Sequence, residues 1–248
     1  MEFFYIILFV VAFLYASVGH GGASGYLALM AIYGMAPDVM KPTALLLNLF
    51  VSGSAFLQFY RGKHFLKNIF IPLAAASIPM SFIGGMLVIE DHIYKKILGA
   101  LLLLPVVRLL FFANTERSAL KQSNMFVSLL VGGGIGLLSG MIGIGGGIIL
   151  SPVLLLLKWT DQKQTAAISA LFIFVNSVSG LAGQFTKGLA FDNNMLMYVV
   201  IAFSGGLLGA YYGASRFNQN VLKNVLGIVL FMAAFKLWFV WPQCLRLF

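Results

Sequence analysis

Charged residues make up only 9% of this 248-residue sequence, and just 7 of them are acidic. A soluble domain carries about 25% charged residues, so this composition describes a surface that meets lipid rather than water. Cysteine occurs once, at Cys244, which excludes an intrachain disulfide and says nothing about redox compartment. No Asp, Glu or Cys falls in the middle of an apolar segment, and His20 is the one ionisable side chain that does. An enzyme embedded in the bilayer would need such groups, so none is expected. No Lys-Ser/Thr follows either glycine-rich stretch, which excludes a P-loop, and no ATP site or other cofactor is implied. Basic residues do exceed acidic ones, for a net charge of +9. They lie between apolar runs, where lipid headgroups and the positive-inside bias account for them. A basic patch interleaved with aromatics is missing, so nucleic acid is not an expected partner.

Apolar sequence is what remains: 60% of residues are hydrophobic and the mean hydropathy is +0.97. Polar gaps divide it into eight segments, at 3–35, 43–60, 68–89, 94–113, 125–157, 165–186, 194–214 and 220–241. Six of these run 18 to 22 residues, one helical crossing of a hydrocarbon core about 30 Å thick. The first lacks the basic flank of a signal peptide and is expected to stay in the mature protein. The first and fifth are 33 residues each. As straight helices they would extend about 50 Å, so each is expected to be a hairpin of two short helices.

Glycines mark where those hairpins would turn. The first run contains Gly19-His20-Gly21-Gly22-Ala23-Ser24-Gly25, and the fifth contains Gly143-Ile144-Gly145-Gly146-Gly147. Each glycine in a helix interior costs about 1 kcal/mol relative to alanine. Lipid also cannot hydrogen-bond the backbone groups so exposed. A break of this kind is tolerated where it faces protein or a wet cavity, and paired breaks in two halves point to a transporter's binding site. The spacing Gly132-x-x-x-Gly136-x-x-x-Gly140 instead suits close helix packing.

The halves match. Gly19-x-Gly21-Gly22 recurs 124 positions later as Gly143-x-Gly145-Gly146. Thr43-Ala44-Leu45 recurs as Ser169-Ala170-Leu171, and Gln58-Phe59-Tyr60-Arg61-Gly62 as Gln184-Phe185-Thr186-Lys187-Gly188, both 126 on. The expected division is an N-terminal membrane repeat at 1–117 and a C-terminal one at 118–248, joined near the polar linker 115–123. If each hairpin makes no net crossing, the second repeat is inverted relative to the first. Lys and Arg then divide ten to six between the two sides, against nine to seven if all eight segments cross. The positive-inside rule favours the first arrangement and puts the linker in the cytoplasm.

Polar residues inside the segments complete the candidate site. Asn48, Ser52, Gln58 and Thr43 in the second segment, and Asn176, Gln184 and Ser169 in the sixth, are too costly to face lipid and should line the interior. Together with Gly19, His20, Gly21, Gly22, Ser24, Gly143, Gly145 and Gly146 they form the expected anion-binding set. Freed N–H groups and helix N-termini would attract the negative charge. The same polar residues would also serve as interhelical hydrogen bonds. His20 titrates near neutrality and is the candidate for proton coupling. Arg61, Arg108 and Arg216, at segment ends, suit snorkelling to the interface. Pro152 suits the first turn of the helix after the second glycine run.

Paired Gly-x-Gly-Gly runs, a Thr-Ala-Leu or Ser-Ala-Leu helix start, a Gln-Phe-x-x-Gly ending and Lys95-x-x-Leu98-Gly99 together resemble the sulfite exporter TauE/SafE family over almost the whole chain. That resemblance implies a transporter of small sulfur-containing anions such as sulfite or an organosulfonate. It makes Gly19, Gly21, Gly22, Gly143, Gly145 and Gly146 the repeat signature, with Thr43 and Ser169 the hydroxyls of the helix starts. The expectation is an all-α integral membrane protein of two inverted repeats, each of four apolar segments of which the first is a Gly-broken hairpin. It would reside in a bacterial cytoplasmic membrane and work by alternating access, with H+ or Na+ as the coupling ion. A passive small-anion channel is the alternative.

Overall fold

A computed structural model describes residues 2–17, 20–111, 120–188 and 194–215. Gly19, most of the linker between the halves, Arg216, the eighth apolar segment and Cys244 lie outside the described residues, as does the Arg108 side chain. Among the described residues every regular element is an α-helix. In chain order these are α1 (Glu2–Ser17), α2 (Ala23–Ile32), α3 (Pro37–Arg61), α4 (Lys67–Met86), α5 (Asp91–Phe111), α6 (Met125–Ile142), α7 (Gly147–Leu156), α8 (Gln162–Phe185) and α9 (Met195–Ser215). Five of them, α3, α4, α6, α8 and α9, are long and apolar enough to cross a membrane, whereas α1, α2 and α7 are shorter.

Local chemistry explains the helix starts. Pro37 occupies the first turn of α3, where its fixed φ suits the helix and its missing N–H is not needed. Asp161 caps α8 in a full capping box, accepting from the Gln164 N–H while the Gln164 side chain accepts from the Asp161 N–H. These two starts correct the sequence reading of Thr43 and Ser169 as helix starts. Both sit about two turns inside their helices, because the proline and the capping box begin α3 and α8 upstream. Pro152 is likewise not in the first turn of α7, which begins at Gly147.

Helix packing relates the two halves. α4 packs along α6, and α1 along α9; α4 also meets α8, and α3 meets α9. Under the 126-residue offset α1 corresponds to α6, α3 to α8 and α4 to α9, so each contact is matched by its counterpart. α3 and α8, equivalent to one another, cross in contact at the centre.

Small residues permit this intimacy, as membrane helices require. A Cβ on Gly132, Gly136 or Gly140 of α6 would collide with the carbonyl oxygens of Leu73, Ser77 and Ser81 on α4. On the other side, Gly205 and Gly209 of α9 lie as tightly on the Phe9 and Phe13 carbonyls of α1. The bundle seals its centre with Leu8, Tyr26, Leu27, Met30, Leu47 and Tyr198, all nearly inaccessible. Phe3, Phe126, Phe185 and Leu196 remain exposed on the outside, the arrangement lipid demands.

The tight contact predicts an asymmetric pair of variants. Gly140→Ala forces α6 off the Ser81 carbonyl and is expected to cost about 1–3 kcal/mol by overpacking. Gly134→Ala, with open space at its Cβ position, should be neutral or stabilising by up to about 1 kcal/mol. Thermal unfolding of the two proteins in detergent checks this.

Candidate functional site: two glycine turns around Asn48

Gly21 and Gly22 ahead of α2, and residues 143–146 between α6 and α7, are buried in the interior. α6 ends on Gly143 (φ 86°), whose N–H donates to the Ser139 carbonyl, and α7 starts on Gly146 (φ 80°) with Gly145 also left-handed at φ 77°. Three positive φ values in four residues are affordable only to glycine. Gly22 (φ 92°) plays the same part ahead of α2. Gly22 and Gly146 offer no side chain to cap their helices, so the N–H groups of Ala23 and Ser24 on α2 and of Gly147 and Ile148 on α7 have no intrahelical partner, whereas that of Ile149 donates to the Gly146 carbonyl at 3.2 Å.

Both turns meet the same two side chains. A Cβ on Gly21 would lie 2.8 Å from Asn48 Oδ1 and 2.9 Å from Ile173 Cγ2. A Cβ on Gly145 would lie 2.5 Å from Asn48 Nδ2 and 2.8 Å from the same Ile173 methyl. The fully buried Asn48 amide thus bridges the turns, its oxygen towards the first and its nitrogen towards the second. Nδ2 donates to the Ile144 carbonyl at 3.3 Å. That carbonyl accepts only, which fixes which end of the amide is which.

Several buried polar atoms border the turns without a partner among the described residues. They are Asn48 Oδ1, the Tyr26 hydroxyl beside Gly22, the Ser177 hydroxyl beside Gly145, and the hydroxyl of Ser139, whose Cβ faces Gly146. An unsatisfied buried polar group costs about 1–3 kcal/mol. A cluster of them at paired helix starts is an arrangement that a polar ligand would relieve.

A second polar chain crosses between the halves. His20 Nε2 lies 3.0 Å from Ser151 Oγ on α7, which in turn lies 2.8 Å from Ser169 Oγ on α8. The His20 side chain thereby reaches the opposite hairpin, while its N–H donates to the Tyr15 carbonyl of its own at 3.0 Å. At the outer end of the second turn, Lys41 packs its backbone on Gly143 and holds its ammonium 4.5 Å over the Tyr94 ring. The Tyr94 hydroxyl donates to the Ile142 carbonyl at 3.0 Å.

The remaining expected residues divide. Ser24 donates to the Tyr15 hydroxyl at 2.9 Å and joins α2 to α1. Thr43 and Ser52 donate back to the Val39 and Asn48 carbonyls of their own helix, both at 2.6 Å. Asn176 Nδ2 donates to the Phe172 carbonyl at 2.8 Å. Gln184 reaches the Gly140 carbonyl at 3.5 Å, and Gln58 is half-buried ten residues beyond Asn48, about 15 Å along α3. The structure therefore gathers Gly21, Gly22, Asn48, Gly145 and Gly146 at one place and ties in His20 and Ser169 through Ser151. Gln58 and Gln184 lie apart from it. Ser151 and Ile173 were not singled out by sequence reasoning. Ser151 lies hidden in an apolar run, and an isoleucine in a membrane helix carries no signal at all.

The family model described as sulfite exporter TauE/SafE matches residues 4–237. The chain belongs to the sulfite exporter TauE/SafE family. Similar curated proteins agree with that membership. A probable membrane transporter protein of Sinorhizobium fredii is 34% identical over 94% of this chain and 96% of its own length. Probable membrane transporter proteins of Methanocaldococcus jannaschii, at 27% identity over 91% and 89%, and of Bacillus subtilis, at 25% over 92% and 94%, are similar along nearly their whole lengths. No solved structure matches. This TauE/SafE protein is accordingly an integral membrane transporter and not an enzyme.

The site geometry makes a prediction of its own. Ser177→Ala deletes a buried hydroxyl without a partner among the described residues, so stability should be unchanged or raised by up to about 1–3 kcal/mol. Asn48→Ala strands the Ile144 carbonyl in the interior and should cost about 1–3 kcal/mol. Detergent melting curves of the two variants distinguish them.

Proposed function

We propose that this transporter carries sulfite or a similar small sulfur oxyanion across the bacterial cytoplasmic membrane, outward, by alternating access. The observation that carries this reading is the convergence of the two glycine turns on Asn48, with unpaired buried hydroxyls beside them. Helix starts present N–H groups and a partial positive charge, and hydroxyls can donate, so the cluster offers mostly donors to a ligand. Donor-rich, uncharged sites suit a small anion that must also leave again. The family name supplies the sulfur chemistry, and the relatives' names supply transport but no ligand.

In this reading the two repeats are inverted, and the glycine turns are hairpin tips entering from opposite faces. One repeat rocks against the other about the α3–α8 crossing, exposing the anion first to one side and then to the other. The matched helix contacts of the two halves support it, since exchanging their roles is the motion alternating access needs. His20 is the proton-coupling candidate, because its bond through Ser151 to Ser169 would tighten or loosen with its charge.

Proteoliposomes loaded with sulfite test the function. Wild-type protein should release it well above the protein-free leak, at turnover rates far below those of a channel. Gly145→Leu should lower the rate at least about tenfold while the protein still inserts and elutes as a folded species, because a side chain there at positive φ meets Asn48. Unchanged release by that variant removes the site assignment. Reporter fusions at Thr115 and near residue 2 should report opposite sides of the membrane if the repeats are inverted.

A further inference from the structure

We infer that the anion this site selects carries its own proton: the ligand is a monohydrogen oxyanion, hydrogensulfite rather than sulfite dianion, whose O–H donates to Asn48 Oδ1. The inference rests on the anion reading above and names the protonation state of the ligand, which that reading leaves open.

The ground is a mismatch of hydrogen-bond types. Around the two turns the uncommitted groups are donors or can act as donors: the first N–H groups of α2 and α7, and the hydroxyls of Tyr26, Ser139 and Ser177. Asn48 Oδ1 is different. It is buried, without a partner, and lies against Gly21 at the first turn. An amide oxygen can only accept. The amide cannot turn round to offer its N–H instead, because Nδ2 is committed to the Ile144 carbonyl and reversal would set two oxygens face to face. A fully deprotonated oxyanion placed here would press an oxygen lone pair against the Asn48 oxygen and leave it unsatisfied. An anion with one O–H satisfies it and still presents its remaining oxygens to the donors. Sites built around a specific hydrogen bond reject analogues lacking the matching group strongly.

The ligand's proton must be separated from the protein's. The titratable groups at the turns are His20, Tyr26 and, bonded to Ser24, Tyr15 at the first, with Lys41 and Tyr94 at the outer end of the second. α3 itself also carries Asp38, Tyr60 and Arg61, and α9, packed on it, carries Tyr198, Tyr211 and Tyr212, whereas the facing stretch of α8, 169–180, has none. Of these side chains histidine alone has an ordinary pKa near neutrality. Transport of a hydrogen-bearing anion also moves a proton with each turnover without any protein group changing charge.

Binding of sulfite, sulfate and methanesulfonate to the purified protein in detergent, from pH 6 to 9 at constant ionic strength without oxygen, tests this. The expected result is an apparent sulfite affinity that falls with the hydrogensulfite fraction, approaching about tenfold per pH unit at the alkaline end. Sulfate and methanesulfonate, which bear no proton in that range, should bind at least about tenfold more weakly. The sulfite profile should persist in His20→Gln, and Asn48→Ala, if it folds, should lose the discrimination. Three outcomes overturn the inference while sparing the anion site: pH-independent affinities that are alike for all three anions; a pH dependence that disappears in His20→Gln; or affinity lost when Na+ is replaced by choline, which would put a metal cation on the Asn48 oxygen. Absence of binding by any of the anions at any pH overturns the anion reading itself.

Discussion

A helix that stops inside a bilayer leaves backbone groups which only protein or a ligand can satisfy, and the structure of this transporter is arranged around two such stops. At the second, the Ile144 carbonyl between α6 and α7 is met by the Asn48 amide, from a helix nearly a hundred residues earlier in the chain. The same side chain presses on the first stop through Gly21. One asparagine, buried on α3, therefore fixes the position of both turns relative to each other. Deleting it would remove more than a hydrogen bond, since among the described residues it is the polar side chain that lies against both turns.

The packing around this centre follows from the same constraint. With no hydrophobic drive between helices in lipid, association rests on close fit and a few hydrogen bonds. α6 lies so close on α4 that a single methyl at Gly140 meets the Ser81 carbonyl, and α9 repeats the arrangement on α1. Interhelical bonds are few and placed at the crossings, as where Ser81 donates to the Asn176 carbonyl at 2.9 Å. Helices held mainly by surface fit can slide or rock with less loss than helices held by many directional bonds.

Much of the helical plan was legible because lipid imposes a length. Runs near twenty apolar residues became α4, α8 and α9, and the family signature lay in residues that stand close together in sequence. Helix starts were less legible. The Thr43 and Ser169 positions were read as starts because polar loops precede them, whereas Pro37 and the Asp161 capping box start those helices earlier. The site was legible in its glycines and in Asn48, whose cost in lipid demanded an interior position. It was not legible in Ile173, which touches both turns through one methyl, nor in the division of the polar residues. Thr43 and Ser52 satisfy themselves within their own helices, and Asn176 does so through Nδ2 alone, an option that sequence cannot weigh against facing a ligand.

The helix contacts of the two halves match, but their polar chemistry does not. In the register that aligns Thr43 with Ser169, Asn48 corresponds to Phe174, Ser177 to Val51 and Lys41 to Ala167, while in the register that aligns the glycine runs His20 corresponds to Ile144. The two asparagines Asn48 and Asn176 are thus not equivalents, and each half contributes polar groups the other lacks. A perfectly symmetric pair of repeats would make the two end states of a rocking motion equal in energy and the site equally poised towards both faces. Here His20 on one hairpin bonds Ser151 on the other, and the unpartnered amide oxygen of α8, on Asn176, does not stand at the position equivalent to Asn48. In the proposed alternating access, exchange of the two repeats' roles would change which groups the ligand meets, and that difference, rather than the shared glycines, is what would give transport a preferred direction.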